Sequence, residues 1–450
     1  MPPLAEALPV RLNTVWEHLR TSYWFVPMLM LIAAVLMAWL AIYADTRVDL
    51  RQMESLAWAL VASSEGATAV MSTVAGSMVT IAGVVFSITL VALSLASGQF
   101  GPRMLRNFIR DRVNQSALGA FLATFLYCLL VLSAVRHGPP ESEFVPRLAV
   151  GIGVLLAVVS VATLIAYIHH VAVTIQADTL IEIIYDDLCR QIDAVCPVSD
   201  EVRASTVDTG TRHAFDETPA QVASPCHGYL QAVDHDALAR VAAEAGVVVR
   251  MERGAGHYLL EGSRLMSVWP AGTLDGPLES RLQACVVFGA QRTATQDMEF
   301  ALDQLVEIAA RALSPGINDP FTAITCVDRL SSALARLAAH GQPAAWHRDA
   351  EGVPRVLDRP PGFAEALDAA FHPIRQCARD NAPVAIRLMA AMAELSAVCT
   401  DPDQRAALRR HADQLLRNAA AHFGDPGDLA DLRARHRQMV CSPGSQAGGD

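Results

Sequence analysis

The sequence predicts four transmembrane α-helices followed by a cytosolic α+β region, in which a small strand-rich unit precedes a helical domain. Three observations predict this architecture. The first 170 residues contain four apolar stretches of membrane length, residues 225–290 alternate like short strands, and residues 291–440 have helical periodicity. With 52% hydrophobic and only 18% charged residues, the chain is also more apolar than an ordinary soluble domain.

The four predicted spans lie at about residues 24–43, 69–97, 117–135 and 145–168. About 20 helical residues cross a bilayer core of about 30 Å, so each stretch is long enough. The first is too long in its apolar part for a signal peptide, and no convincing cleavage site follows it. The spans define a transmembrane domain at 21–172, after an N-terminal segment at 1–20. No Asp, Glu, Arg or His lies at the middle of a span, which argues against a proton-driven transporter.

The connection between the second and third spans carries a cluster of basic residues: Arg103, Arg106, Arg110 and Arg112. Under the positive-inside rule this connection is cytoplasmic, which places both termini in the cytoplasm. Residues 104–110 alternate apolar and basic side chains at helical spacing, as in a short amphipathic helix on anionic lipid headgroups. Alternatively, these arginines only set the orientation of the spans.

The second span lies in a stretch without any charged side chain between Glu65 and Arg103, and Gly98 to Pro102 predicts a turn at its end. Its small and hydroxylated residues recur at steps of three, four and seven, which places them on one helix face. This stripe consists of Ser72, Gly76, Thr80, Gly83, Ser87 and Ser94. Two interpretations are open: close packing between helices, or a pore lining in an oligomer. Both interpretations hold if the helix packs around the axis of an oligomer.

The fourth span is predicted to continue past His170 as an amphipathic connecting helix at 173–198, with Ile181, Ile184 and Leu188 on its apolar face. This helix could pack against copies of itself or against the soluble region. Residues 199–224 are rich in Ser, Thr, Pro and acidic residues and predict a linker.

Residues 225–290 predict a small α/β unit. Strands are expected at 228–233, 247–251 and 284–288, with Asp234 capping a helix that reaches Ala243. Residues 256–262 and 265–269 predict a hairpin, and this pattern resembles half of a barrel-sandwich hybrid of the lipoyl type. Because every basic residue outside the histidines is Arg, no lysine exists to carry lipoate or biotin, and we expect no cofactor.

The remaining region at 291–440 predicts a helical domain, followed by a disordered tail at 441–450. The predicted helices lie at 298–313, 319–339, 363–379, 383–398, 402–422 and 426–439, and a short hairpin fits between 341 and 361. Pro402 and Pro426 each follow an acidic residue, as is typical of helix starts.

A polar constellation around the first two of these helices is a candidate ligand or ion site, formed by Arg292, Asp297, Asn318 and Asp319. Pro315-Gly316 ends one helix and Asp319 can cap the next, which leaves backbone amides at a helix start where an anion could bind. The alternative is a helical hairpin with ordinary capping and no ligand. The sequence has no Ser–His–Asp set, phosphate loop or HExxH motif, so we expect no catalytic residue and no enzyme.

The nine cysteines are scattered, without a CxxC pair or histidines at zinc-ligand spacing. We therefore expect reduced thiols and no metal site. The net charge of −11 argues against a nucleic-acid partner, since phosphate binding depends on concentrated positive charge.

Several segments resemble one bacterial family. These are Ser87 to Ser94, the Gly101-Pro102-Arg103 turn, Phe125 to Cys128, and Leu313 to Ala323 with its Ser-Pro-Gly-Ile-Asn-Asp-Pro-Phe-Thr-Ala string. The chain resembles, over nearly its whole length, the predicted membrane proteins called domain of unknown function 2254. The resemblance implies a multi-pass inner-membrane protein with a cytosolic C-terminal region, and it implies no activity.

The pattern favours a homo-oligomeric channel or channel-like protein whose cytosolic region gates or assembles it. The expected partners are the lipid bilayer, further copies of the chain and an unidentified small ion or ligand. The alternative function is a membrane-anchored sensor or scaffold whose cytosolic region binds a ligand or a protein.

Overall fold

The computed structural model describes residues 24–47, 64–100, 111–136, 144–174, 176–195, 218–293, 296–340, 346–358 and 360–441. The chain divides into two compact units, Met1–Gln176 and Ala177–Asp450. The predicted amphipathic segment at 104–110, and Arg103, Arg106 and Arg110, lie outside the described residues. So do the predicted N-terminal segment at 1–20, residues 199–217 of the linker and residues 442–450 of the tail.

The first unit contains the four predicted spans as helices. They are α1 (Phe25–Arg47), α2 (Ser64–Phe100), α3 (Arg112–Ala134) and α4 (Arg147–Thr174). Each is long and apolar enough to cross a membrane. With 37 residues, α2 is about 55 Å long, which exceeds the bilayer core. It runs unbroken through Gly98 to Phe100, so the turn predicted to begin at Gly98 is wrong for these residues; Gly101 and Pro102 lie outside the described residues.

Helix α3 packs against α1, α2 and α4. The face of α1 that enters this packing is lined by Ala34, Ala38 and Ala41, and such small side chains let helix backbones approach closely. Large apolar side chains such as Leu155 and Ile165 of α4 are instead exposed on the outside of the unit, as suits contact with lipid. The sequence prediction of four transmembrane helices is confirmed.

Hydrogen bonds between the helices supplement this packing. The Tyr127 hydroxyl donates to the Ala149 carbonyl at 2.9 Å, and the hydroxyls of Thr124 and Ser160 lie 3.0 Å apart in the buried interior. At the N-terminal end of α4, the Asp45 carboxylate of α1 accepts hydrogen bonds from the backbone N–H groups of Leu148 and Ala149, each at 3.0 Å. Asp45 therefore satisfies donors that a helix start leaves unpaired.

The second unit begins with α5 (Ala177–Val195) and continues with a mixed α/β segment. Its elements are β1 (Ala220–Ala223), β2 (Gly228–Val233), α6 (His235–Glu244), β3 (Val248–Met251), β4 (Tyr258–Leu259), β5 (Arg264–Trp269), α7 (Gly276–Ala284) and β6 (Val286–Gly289). The last part contains α8 (Met298–Ala312), α9 (Pro320–His340), β7 (Trp346–Arg348), β8 (Pro354–Leu357), α10 (Phe363–Cys377), α11 (Ala382–Val398), α12 (Pro402–His422) and α13 (Pro426–Cys441).

The strands form two small sheets, with the orders β1-β5-β3-β8-β7 and β4-β2-β6. The predicted hairpin at 256–269 is therefore wrong, because β4 pairs with β2 whereas β5 pairs with β1 and β3. Residues 225–290 accordingly do not form half of a barrel-sandwich hybrid. Strand β1 lies inside the predicted linker. The short hairpin predicted between 341 and 361 is present as the antiparallel pair β7 and β8, and β8 also pairs in parallel with β3.

Helix α5 is separate from α4, which ends at Thr174, so the predicted continuous helix is wrong. Its residues Ile181, Ile184 and Leu188 are almost fully buried, and it packs on α8 and α9. Of the two partners expected for this amphipathic helix, the structure shows the helices of its own unit. Salt bridges from Arg336 to Asp193 and from Arg329 to Glu182 flank the contact.

The six helices predicted after residue 291 are confirmed, with ends that lie within two residues of the prediction. Side-chain caps explain three of the helix starts. Asp297, Asn381 and Asp401 each accept a hydrogen bond from a backbone N–H in the first turn of the helix that follows.

Candidate functional site

The stripe of small residues on α2 faces outward. All six of its residues, from Ser72 to Ser94, are exposed. The face that packs within the unit is formed instead by residues such as Met71, Ala75, Met78 and Ala82. A Cβ atom added at Gly76 or Gly83 would have no atom of the described residues within 4 Å. Within the described part of the chain, the stripe therefore packs against no other helix.

Hydroxyl groups on this surface are satisfied by their own helix. Ser72 Oγ donates to the Ala69 carbonyl at 3.1 Å, and Thr80 Oγ1 donates to the Gly76 carbonyl at 2.9 Å. Such back-bonding lets a hydroxyl lie in an apolar environment without an unpaired donor. The same oxygens can still accept hydrogen bonds from water, so this surface is compatible with both an apolar and an aqueous environment.

A polar cluster lies where α3 begins and α4 ends. His170 Nε2 lies 2.5 Å from Asp111 Oδ2, and the other carboxylate oxygen of Asp111 accepts from the Val113 N–H at 2.9 Å, which caps α3. Thr174 Oγ1 is 3.4 Å from the same His170 nitrogen. Asp111 thus caps the start of α3 and also contacts His170 of α4.

A small cavity borders this cluster and reaches Thr89 of α2. Its volume of about 10 Å³ is close to the minimum for one water molecule. Asn114 lines it, and this side chain is only 4% exposed while its Oδ1 has no hydrogen-bond partner among the residues that the structure describes. The Thr89 hydroxyl lies 2.7 Å from the Tyr167 hydroxyl, which also donates to the Val85 carbonyl. Polar groups from three spans therefore converge here.

The candidate ligand site predicted around α8 is divided by the structure. Arg292 donates to both carboxylate oxygens of Asp297, at 2.8 and 2.9 Å, and also to Asp303 at 2.7 Å. Asp297 is 3% exposed and also caps α8 through the Phe300 N–H. This arrangement is a buried, hydrogen-bonded ion pair at the start of the helix.

Asn318 and Asp319 lie at the opposite end of α8, whose 15 residues span about 22 Å. The four predicted residues therefore do not meet in one site. Asn318 has φ of 50°, in the left-handed region that Asn tolerates. The Asp319 carboxylate accepts from the N–H groups of Phe321 and Thr322 and from the Thr322 hydroxyl. Two amides that could bind an anion are thus already occupied, as in an ordinarily capped hairpin.

Three ligand-type side chains that no sequence pattern predicts meet at the sheet of the second unit: His235, His347 and Asp358. Their ligand atoms lie within 4.8 Å of one another. The residues are separated by 112 and 11 positions, spacings that correspond to no local metal motif. Only the paired strands and the helix that packs on them bring the three side chains together.

Comparison with known proteins assigns the chain to a family. The sequence profile of the predicted membrane proteins called DUF2254 matches residues 20–394, which include all four spans and the sheets of the second unit. The chain belongs to the DUF2254 family.

Two mycobacterial relatives of this DUF2254 protein are 34% identical to it over 388 residues, covering 85% of this chain and 74% of each relative. One is an uncharacterised protein of Mycobacterium bovis and the other an uncharacterised protein of Mycobacterium tuberculosis. No solved structure matches the chain. The match thus supports the predicted membrane class and brings no activity.

The DUF2254 profile ends inside α11, so α12 and α13 lie beyond it. His235, His347 and Asp358 lie within the matched region, as do Asp111, Asn114 and His170. Both polar clusters therefore lie within the residues that the family profile matches.

Proposed function

We propose that this protein is a homo-oligomeric, channel-like protein of the bacterial inner membrane, with both termini cytoplasmic and α2 facing the axis of the oligomer. The observation that carries the proposal is the outward exposure of the whole stripe from Ser72 to Ser94. The arginines between the second and third spans, which extend to Arg112 at the start of α3, support the orientation, since basic loops stay on the cytoplasmic side.

The stripe differs from the lipid-facing surface around it. At 100° per residue, its centre lies about 150° from the centre of the buried face of α2. Large exposed side chains flank it on both sides, including Phe86 and Leu90 on one side and Val84 and Val91 on the other. A shallow groove between two apolar ridges suits a neighbouring helix on each flank, with the small and hydroxylated residues between them.

Water at the axis would find hydroxyl oxygens and exposed backbone along such a groove. Pores of this kind depend on lining diameter and on the polar groups that line them. In this arrangement the ridges make the contacts between subunits and the stripe lines the path. Because α2 is longer than the bilayer core is thick, the helix extends beyond one face of the membrane.

Planar-bilayer recording with the purified full chain tests the proposal, with voltage, membrane tension and candidate ions as variables. Gly83→Leu and Ser87→Leu are expected to reduce conductance and leave the fold intact, because both positions are exposed and a Cβ at Gly83 meets no described atom within 4 Å. Val158→Leu, on the exposed face of α4, is the matched control and should conduct like the parent protein. Absence of conductance under every condition rejects the channel. Leucine variants that lose only the oligomer, measured by native mass spectrometry, indicate that the stripe packs helices.

A second candidate function is a membrane-anchored sensor or scaffold. It is favoured by the second unit, which starts at Ala177 and has its own sheets and buried core around Leu230, Val249 and Val268. This function requires that residues 177–450 fold alone and bind a ligand or protein with the same affinity as the full chain. A fragment that folds, as judged by circular dichroism, but retains neither ligand nor protein argues against it.

A further inference from the structure

The β7–β8 hairpin places two ligand-type side chains on one face of the five-stranded sheet. His347 of β7 pairs with Val356 of β8 in antiparallel register. Because side chains alternate along a strand, Asp358, two residues after Val356, faces the same side as His347. The two residues are diagonal neighbours, a separation at which long side chains meet.

Helix α6 brings a third side chain to this face. It packs on both β7 and β8, and His235 is its first residue, directly after the Asp234 cap. His235 Nε2 lies 3.0 Å from Asp358 Oδ2. The ring of His235 stacks on the ring of His347, with 3.9 Å between their centroids and 9° between their planes. The cluster is therefore positioned by two paired strands and by the helix that packs on them.

We propose that His235, His347 and Asp358 bind one divalent transition-metal ion of the Zn²⁺ class. Two imidazoles and one carboxylate are a donor set typical of zinc with three protein ligands, which leaves a coordination position for water or a further ligand. Two nitrogen donors disfavour Mg²⁺ and Ca²⁺, which select oxygen ligands. The side chains of His235 and Asp358 are 19% and 15% exposed, so an ion can reach them from solvent.

Metal binding changes the ring arrangement. A coordinated ion lies in the plane of each imidazole that binds it, so two rings in a parallel stack cannot share one ion. One ring therefore turns out of the stack when the ion binds, while the backbone of α6 and of the hairpin stays in place.

Without a metal, the same geometry is a His–Asp hydrogen bond beside a stacked histidine. That alternative predicts no stoichiometric ion. The inference depends on the second unit alone and goes beyond the proposed channel, so conductance measurements and metal binding can fail independently.

The test uses the full chain, purified in detergent without a polyhistidine tag and dialysed against a chelator. Co²⁺ is the probe, because its visible absorption reports nitrogen and oxygen ligands in tetrahedral or five-coordinate geometry, and Zn²⁺ then competes for the site. We expect one Co²⁺ per chain, displaced by Zn²⁺ and not by Mg²⁺. His347→Ala and Asp358→Asn are expected to weaken binding roughly 100-fold, the upper end of the effect of losing even an outer-shell partner.

His227→Ala is the matched control, since it removes an exposed imidazole from the same unit outside the cluster. Asp358→Asn keeps the shape of the side chain, and melting of each metal-free variant shows whether it is folded. Binding that His347→Ala and Asp358→Asn leave unchanged overturns the proposal. A lack of stoichiometric Co²⁺ or Zn²⁺ on the parent chain also overturns it, as does an equal loss in His227→Ala.

Discussion

His170 Nε2 lies 2.5 Å from the carboxylate of Asp111, which joins the last turns of the fourth span to the residue that caps the third. Ionisable residues are rare in membrane domains and usually mark functional positions. Here the pair borders a cavity lined by the buried Asn114 and by Thr89 of the second span. The span proposed to face the axis therefore shares a polar junction with two others.

Replacement of Asp111 by Asn separates its two roles. Asn is as good a helix cap as Asp, so the bond to the Val113 N–H is retained, whereas the carboxylate partner of His170 is lost. We expect a loss of about 1 kcal/mol of unfolding free energy, moderated by the partial exposure of both side chains. Unfolding in detergent followed by circular dichroism measures it. His170→Ala should lose a similar amount and be non-additive with Asp111→Asn, whereas exposed His169→Ala should have no effect.

Replacement of Asp297 by Asn removes the buried carboxylate charge that faces the Arg292 guanidinium. Because Asp297 is almost fully buried and accepts two bonds from Arg292, we expect a loss of about 3 kcal/mol. Asp303→Asn is the comparison, since that carboxylate is 32% exposed where it accepts from Arg292, and the variant should lose about 1 kcal/mol at most. Chemical unfolding curves of the full chain measure both, and equal effects would contradict the difference in burial.

Asp319 gives the second unit an acid-sensitive cap. The hydrogen bond from the Thr322 hydroxyl, followed by those from the backbone amides, holds the pKa of Asp319 below its usual value of 3.8. A folded-state pKa below the unfolded one stabilises the fold above the unfolded pKa, and this contribution is lost as the pH falls through the folded pKa.

Asp319→Ala is therefore expected to lose about 1 kcal/mol at pH 7 and less as the pH falls below about 4. Thermal melting of parent and variant at several pH values measures the difference. A difference that stays constant down to the lowest pH would show that the carboxylate charge contributes nothing.

Buried cysteines should resist thiol reagents in the folded protein. Burial, followed by the charge of Asp234, raises the pKa of Cys285 to about 11, and burial raises the pKa of Cys326 further. Since the thiolate is the reactive form, maleimide labelling at pH 7 should be slow at both and faster at the partly exposed Cys226. Peptide mass spectrometry after timed labelling measures this. Labelling of Cys326 at the rate of Cys226 would reveal local opening of the second unit.

Local signals explain what could be predicted. Helix α12 begins and ends where Asp401-Pro402 and His422 suggested, because a cap and a proline act within one turn. The four spans follow in the same way from runs of apolar residues, whose length alone matches the bilayer.

Pairing across long sequence separations explains what could not. The strands Tyr258–Leu259 and Arg264–Trp269 are neighbours in sequence and yet belong to different sheets, since alternation marks a strand without naming its partner. The candidate site was divided for a similar reason: Arg292 and Asp297 meet within one turn, whereas a whole helix separates them from Asp319.

By itself, the sequence determined which segments are apolar enough to cross a membrane, which residues cap the helices, and that the second span carries a stripe of small residues. Only the tertiary structure decided that this stripe faces outward, that Asp111 meets His170, and that His235 joins His347 and Asp358. The physical reason is range. Hydropathy and capping act over a few residues, whereas the direction of a face and the meeting of distant side chains depend on which elements pack together.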